Sequence, residues 1–322
     1  MDQMNRLGIA VIGTGFWGRN QTRIFSELEN ANLACIYDLN PVTAKSVAEQ
    51  FHVEFSSDLD NVLSREDVNA VAVCTPTTTH KEIALKALNA GKHVLVEKPM
   101  TNTISEAQEL LSLANRRRLR LMPGHIERFN PAVNHLRYLV DEGRLGNVIL
   151  LLARRVGRWP ERIGDVGVVR DTAIHDIDLA RFIFNDDIVS VYARIGSLKH
   201  TKEDYAEIML QFTKGRTAFI DANWLAPRKT RTLVVTGSDA SVQLDYITQE
   251  LSVEDSENIT KPKITKQEPL RNELNHFVNA ILNDHPFTVT GLDGLRAVEI
   301  CELCLQSGRT EQTVSLAAPT LS

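Results

Sequence analysis

Three groups of residues have the types and spacing for chemistry. The first is Gly13-Thr14-Gly15-Phe16-Trp17-Gly18. In a turn of this spacing the first glycine permits the bend. The second leaves space for a pyrophosphate, and the third lets a helix lie close to a strand. A lone GxGxxG recurs by chance. Here, however, the apolar run 9–12 precedes it, residues 16–28 can wind as a helix, and Asp38 ends the next apolar run twenty residues beyond Gly18. That carboxylate is placed to accept hydrogen bonds from an adenosine ribose, and the helix N-terminus offers N–H groups to phosphate. The segment therefore predicts a bound dinucleotide. Neither Leu39 nor Asn40 brings a positive charge for a 2′-phosphate, so the expectation is NAD rather than NADP.

The second group is Glu97-Lys98-Pro99, which closes the apolar run 94–96, together with Thr75-Pro76, which closes the run 68–74. Residues at the carboxyl ends of parallel strands sit where nucleotides bind. Lys98 there is a candidate acid/base or polarising group, since a cationic nicotinamide ring would favour its neutral form. A surface lysine paired with a neighbour is the plainer alternative. The third group is Asp171, His175 and Asp178. Spacings of four and three put them on one helical face. An aspartate with a histidine suits proton transfer from an alcohol; a capping aspartate and a packed histidine are the bland alternative. No further ligand set accompanies them, so no metal is expected.

These residues need a scaffold of alternating strands and helices. Runs at 9–12, 33–37, 68–74, 94–96 and 119–122 read as parallel strands, and 77–89 and 101–115 as helices between them. Asn40-Pro41 is an N-cap with proline in the first turn, and Gly91 stops the helix 77–89. After Pro123 the pattern changes. A helix at 131–142, a strand at 148–156 and a helix at 171–184 precede strand-like runs at 188–194, 206–212, 217–222, 232–236 and 242–246. Short turns such as Thr213-Lys214-Gly215 imply antiparallel neighbours. Helices at 270–283 and 292–306 follow, and the polar stretch 254–267 reads as a surface loop. The fold class is α/β: a dinucleotide-binding Rossmann domain over 1–122, then an α+β domain over 123–322 with a mostly antiparallel, open-faced sheet.

Bulk properties narrow the partners. The chain has 322 residues, 43% hydrophobic and 24% charged, with a net charge of −5. Such a chain has no broad attraction for nucleic acid or an anionic membrane. No apolar run spans a bilayer and no signal peptide is evident at Met1, so a cytoplasmic location is expected. Cys301 and Cys304 form a CxxC, but they share a helix face with Val298 and Leu305 and read as core. Arg116-Arg117-Arg118 reads as a solvated run offsetting a helix dipole.

Taken together, Gly13 to Gly18, Cys74-Thr75-Pro76 with His80, Gly91-Lys-His-Val-Leu-Val-Glu97-Lys98-Pro99 and Asp171-x-Ala-x-His175-x-x-Asp178 resemble the glucose–fructose oxidoreductase/inositol dehydrogenase (Gfo/Idh/MocA) family over nearly the whole chain. The resemblance implies an NAD-dependent oxidoreductase with Lys98, Asp171 and His175 as its catalytic set. It implies cofactor contacts from Gly13 to Gly18, Asp38, Thr75, Pro76, His80, Glu97 and Lys98. It also implies a homodimer or homotetramer built through the open sheet face, with the last two helices reaching back to the first domain. Ala173 stands where many members have glycine, which narrows the site without removing a catalytic group.

A closer resemblance lies in Gly124-His125-Ile-Glu127-Arg128-Phe129-Asn130-Pro131 and in the segment from Arg154 to Val168. It is to the branch acting on the 3-hydroxyl of UDP-N-acetylglucosamine. It implies a nucleotide-sugar substrate held by Arg128, Asn130, Arg155, Arg158 and Arg162 with Asp171 and His175. Guanidinium groups match phosphate oxygens with paired donors, so these arginines are candidates to grip a diphosphate. The rivals are a uronic acid analogue, a free sugar or inositol, redox-assisted glycoside cleavage, and a non-catalytic NAD-dependent sugar sensor.

Overall fold

The computed structural model describes residues 6–160 and 164–316. They form two compact units. The first takes in everything described up to Ile126 together with Glu268–Val298; the second takes in Glu127–Gln267 and the described residues from Glu299 on.

The first unit alternates strand and helix in the order β1 (Leu7–Ile12), α1 (Phe16–Glu27), β2 (Ala31–Tyr37), α2 (Pro41–Phe51), β3 (Glu54–Ser56), α3 (Leu59–Ser64), β4 (Ala70–Val73), α4 (Thr77–Asn89), β5 (His93–Glu97), α5 (Ile104–Arg117) and β6 (Leu121–Gly124). Its six strands are parallel in the order β3-β2-β1-β4-β5-β6. Every residue of β1 and β4 is buried, as in a sheet covered on both faces. The chain reverses its direction of travel across the sheet between β1 and β4, and ligands of such sheets bind at that point.

Local chemistry sets the helix ends. Asn40 accepts from the N–H groups of Val42 and Thr43 to start α2. Thr103 and Glu106 form a capping box, so α5 begins at Ile104, three residues later than the run 101–115 suggests. Arg116 and Arg117 lie in the last turn of α5 and Arg118 caps it, where cations offset the dipole.

The second unit begins with α6 (Pro131–Asp141) and β7 (Val148–Arg158). A single π-helical turn, Val169–Ala173, then leads into α7 (Ile174–Phe184). There follow β8 (Ile188–Gly196), β9 (Tyr205–Phe212), β10 (Thr217–Asn223), β11 (Leu225–Gly237), β12 (Ala240–Asp245), β13 (Glu250–Asp255) and β14 (Ile259–Thr260). Helices α8 (Pro269–Leu282) and α9 (Gly291–Thr310) come next, and β15 (Val314–Ser315) is the last strand described. The nine strands run β14-β13-β12-β11-β7-β10-β9-β8-β15. All neighbours are antiparallel except β7 and β10.

One face of this sheet carries α6 and α7. On the opposite face Tyr192, Met209, Phe219, Leu152 and Val234 are cross-strand partners in one row. Phe219 and Leu152 there keep 43% and 41% of their surface exposed. The polar stretch 254–267 is a correction: Glu254 and Asp255 end β13, and Ile259 and Thr260 pair back onto it. A two-residue edge strand has no alternation by which to announce itself.

Helix α8 belongs to the first unit, where it packs on α1 and β1. Asn30 donates to the side chains of Asn275 and Asn279 at 3.0 and 2.7 Å. Cys301 and Cys304 are buried in α9, and burial pushes the Cys304 thiol well up, so this CxxC is core packing. No described helix is long and apolar enough to cross a membrane, and no group of metal-binding side chains occurs among the described residues.

Candidate active site

In the first unit the glycine turn has the shape its spacing predicts. Gly13 has a φ of +93°, and a Cβ there would lie 2.8 Å from Thr75 Cγ2. At Gly18 a Cβ would meet the Gly13 carbonyl oxygen at 1.8 Å, so only glycine lets α1 lie this close to β1. At Gly15 nothing lies within 4 Å of a Cβ position. The backbone there is open to a close-approaching group, and α1 starts without a side-chain cap. Exposed Phe16 meets Trp17 edge-on at 5.4 Å. Asp38 is held at the end of β2: its Oδ2 accepts from Thr14 N–H and Oγ1 at 2.8 and 2.7 Å, and its Oδ1 accepts from Asn40 N–H at 3.0 Å. Leu39 is exposed and Asn40 is used as a cap, so no cation balances Asp38 on that side. These residues fit a dinucleotide whose ribose hydroxyls are free.

Lys98 stands half-buried just past the end of β5, joined to Pro99 by a cis peptide bond. Thr75 and Pro76 occupy the corresponding place after β4, with Pro76 at the start of α4 and Thr75 Oγ1 accepting from Thr79 Oγ1 at 2.7 Å. Two members of the expected cofactor set have partners inside the protein. His80 is buried, with Nδ1 and Nε2 each 2.9 Å from a carbonyl oxygen, that of Pro99 and that of Thr75. Glu97 is buried and accepts from Gln21 Nε2 of α1 at 2.7 Å. His80 therefore ties the segment of Lys98 to that of Thr75, and Glu97 ties the end of β5 to α1.

In the second unit the Asp/His segment does not run as one α-helix. The π turn Val169–Ala173 inserts a residue ahead of α7, so the spacings of four and three between Asp171, His175 and Asp178 no longer mean a common face. His175 is half-buried and Asp171 is 9% exposed, whereas Asp176 and Asp178 turn inward. Asp171 is braced: Trp224 Nε1 donates to Thr172 Oγ1 at 2.9 Å, and that hydroxyl donates to Asp171 Oδ2 at 3.1 Å. Trp159 and His200 extend the brace, stacked at 3.5 Å with Trp159 edge-on to Trp224. Neither Thr172 nor Trp224 had a recognisable motif to mark it.

Three of the residues expected in the arginine grip have partners inside the protein. Arg128 is buried and makes a bidentate pair with Asp178, at 2.8 and 2.6 Å. Asn130 caps α6 and donates to the carbonyl of Tyr246 at 3.1 Å. Arg155 is 2% exposed and lies between Asp176 and Glu127, each at 2.8 Å. Tyr246 donates to Asp176 at 3.0 Å and stacks on the Arg155 guanidinium. Burial alone would lower the Arg155 pKa, but the Asp176 and Glu127 carboxylates reverse that and hold it well above its usual value. All three residues are buried. Arg158 is exposed and donates to the Pro227 carbonyl at 3.0 Å. Arg162 lies outside the described residues.

Two cations were missed. Arg231 of β11 sits directly across from Arg155 of β7, and Lys229 lies in the irregular stretch between Leu225 and Thr230. The basic cluster Arg228-Lys229-Thr230-Arg231 was the available signal.

The comparisons with known proteins agree with this division of labour. Residues 7–125 match the model of an oxidoreductase family with an NAD-binding Rossmann fold, and residues 133–243 match the GFO/IDH/MocA C-terminal domain. The chain is 29% identical over 305 residues to a UDP-N-acetylglucosamine 3-dehydrogenase of Acidithiobacillus ferrooxidans, covering 92% of this chain and 95% of that protein. A solved structure with that description superposes with a TM-score of 0.89 at 28% identity, covering 95% of this chain and 98% of the other. The chain is also 27% identical over 328 residues to an inositol 2-dehydrogenase of Rhizobium meliloti, covering 95% of this chain and 98% of that protein. With the glycine turn, the pinned Asp38 and both domain models in agreement, the chain belongs to the GFO/IDH/MocA family of NAD-binding oxidoreductases.

Proposed function

We propose that this oxidoreductase is a dehydrogenase acting on a secondary hydroxyl of a nucleotide sugar, the 3-hydroxyl of UDP-N-acetylglucosamine. The observation that carries the catalytic part is the braced Asp171 four residues before half-buried His175, in a chain that also ends a Rossmann strand with Lys98. Bound NAD+ supplies the hydride acceptor. Lys98 and His175 supply the acid/base groups for the hydroxyl proton, and Asp171 fixes the reacting polyol. The Trp224–Thr172–Asp171 chain holds that carboxylate in one orientation, which a proton-transfer geometry needs. Similarity to the Acidithiobacillus enzyme over 92% of the chain supports the substrate.

The inositol dehydrogenase relative supports a second reading, a free cyclitol, which the pairing of Arg128 and Arg155 with internal carboxylates also favours. The two readings part when the hexosamine of UDP-N-acetylglucosamine carries deuterium at C3. The proposed reaction breaks that C–D bond and delivers the deuterium to the nicotinamide. Mass analysis should find one deuterium in each NADH formed. Product formed with the deuterium still on the sugar would remove the 3-hydroxyl from the reading.

We further propose that copies of the chain associate through the uncovered sheet face as a homodimer or homotetramer. The apolar row of Tyr192, Met209, Phe219, Leu152 and Val234 is the surface involved, and exposed apolar rows of this kind are commonly interfaces. Light scattering at micromolar concentration should give a multiple of the 36.0 kDa chain mass. A single-chain mass under those conditions would exclude the association.

A further inference from the structure

A phosphorylated substrate needs a receptor for its charge, and the inward-turned Arg128 and Arg155 do not supply one. Strand β11 offers two other cations. Arg231 is the direct cross-strand partner of Arg155, and like charges directly opposite destabilise a ladder. The two carboxylates beside them are already used. Asp176 and Glu127 each hold Arg155 at 2.8 Å, whereas Arg231 comes no nearer to Glu127 than 3.9 Å. Among the described residues no side-chain or carbonyl acceptor takes a hydrogen bond from the head group of Lys229 or Arg231. Burial first, then the neighbouring guanidinium groups, pulls the Lys229 ammonium below its usual range, and burial and Arg155 do the same to Arg231.

The surroundings leave room for a ligand. Lys229 is exposed and Arg231 is 37% exposed. Opposite Lys229 lies Gly157, whose missing side chain leaves the Lys229 stem in ordinary contact, 3.7–4.0 Å from the Cβ position, without crowding its head group. Arg231 projects on the face of the sheet that carries α7, the same face as Arg155. Asp171 is among the charges that act on it.

We propose that Lys229 and Arg231 form an anion subsite on the α7 face of the second unit, taking a phosphate group of a phosphorylated or nucleotide-linked sugar. The subsite stands on the geometry of β7 and β11; only the nucleotide part of its ligand rests on the function proposed above. A phosphate supplies acceptors for both head groups, with a planar fork from Arg231 and a point charge from Lys229. It also separates Arg231 from Arg155 electrostatically, so the unliganded protein carries a repulsion that the ligand relieves.

The test is binding of UDP, and separately of glucose 6-phosphate, to the full chain with NAD+ saturating, so that the glycine turn is already occupied. Lys229→Met and Arg231→Met are compared with Arg154→Met. Arg154 lies on the same strand pair but on the opposite face, paired with Asp221 at 3.0 Å. Each of the first two variants should weaken UDP binding by roughly ten- to a hundredfold, the range for a lost charge-assisted hydrogen bond. Arg154→Met should bind as the wild type does. The melting temperature of Arg231→Met should not fall, because a repulsion has been removed. Equal weakening in Arg154→Met, or unchanged binding in both β11 variants, would overturn the subsite. So would a wild type that binds neither probe. Binding of glucose 6-phosphate but not UDP, lost in the β11 variants, would keep the subsite and overturn the nucleotide-sugar reading.

Discussion

Lys98→Met and His175→Asn are each expected to lower turnover by roughly 100-fold or more, the usual size of a lost general acid/base contribution. Affinity for NAD+ should be nearly unchanged. The glycine turn and Asp38 lie on other elements than either side chain, and Asp38 is held by Thr14 and Asn40. Methionine keeps much of the lysine stem and removes only its ability to carry a proton. Asparagine keeps a polar group where the imidazole stood. Steady-state rates with NAD+ binding measured in parallel check this. Wild-type turnover in either variant would take that residue out of the reaction, and a large loss of NAD+ affinity would reassign Lys98 to cofactor binding. Asp171→Asn belongs to the same series. Its loss should fall on turnover, because the Thr172 hydroxyl still holds an asparagine in the same orientation.

Arg155→Ala or Asp176→Ala should destabilise the protein by about 3–5 kcal/mol, the cost of leaving one member of a buried ion pair without its partner. Both side chains are almost wholly inaccessible, at 2% and 0% exposure. Removing Arg155 strands Asp176 and Glu127 together, and removing Asp176 also leaves the Tyr246 hydroxyl without its acceptor. Denaturant unfolding with the two variants checks this. A change within about 0.5 kcal/mol, as at an ordinary surface site, would mean that the pair is open to solvent. Arg155 would then return as a candidate for substrate contact. Replacing both residues by apolar ones of similar volume should recover much of the loss, because no charge is then stranded.

Much of the first unit was legible because its signals are local. Gly13, Gly15 and Gly18 each meet the steric need their spacing implies, and the helix 77–89 has the bounds that the apolar pattern and Gly91 suggest. Five of the six parallel strands announced themselves as apolar runs. The exception, β3, has only three residues and is not buried, so no run marks it.

The candidate site was legible in part. Lys98 follows a Rossmann strand and His175 lies on α7 as expected of their positions, whereas Asp171 lies in the π turn ahead of α7. The arginines were read as ligand-facing because sequence spacing does not show which carboxylate a guanidinium meets after folding. Arg155 finds Asp176 twenty-one residues away, and Arg128 finds Asp178 fifty residues away. The π turn at Val169–Ala173 was equally hidden, since its spacing of polar residues fits an α-helix as well. Arg231 and Lys229 were overlooked because β11 runs from Leu225, well before the apolar stretch 232–236 that marked it. The bulge after Leu225 conceals the first half of the strand.

The most direct measurement is NADH formation by the wild-type chain with UDP-N-acetylglucosamine, N-acetylglucosamine and myo-inositol, each supplied alone with NAD+. The account predicts saturable turnover with UDP-N-acetylglucosamine and little with N-acetylglucosamine, which lacks the phosphates, or with myo-inositol. Saturable turnover with myo-inositol or N-acetylglucosamine, and none with the UDP-sugar, would contradict it.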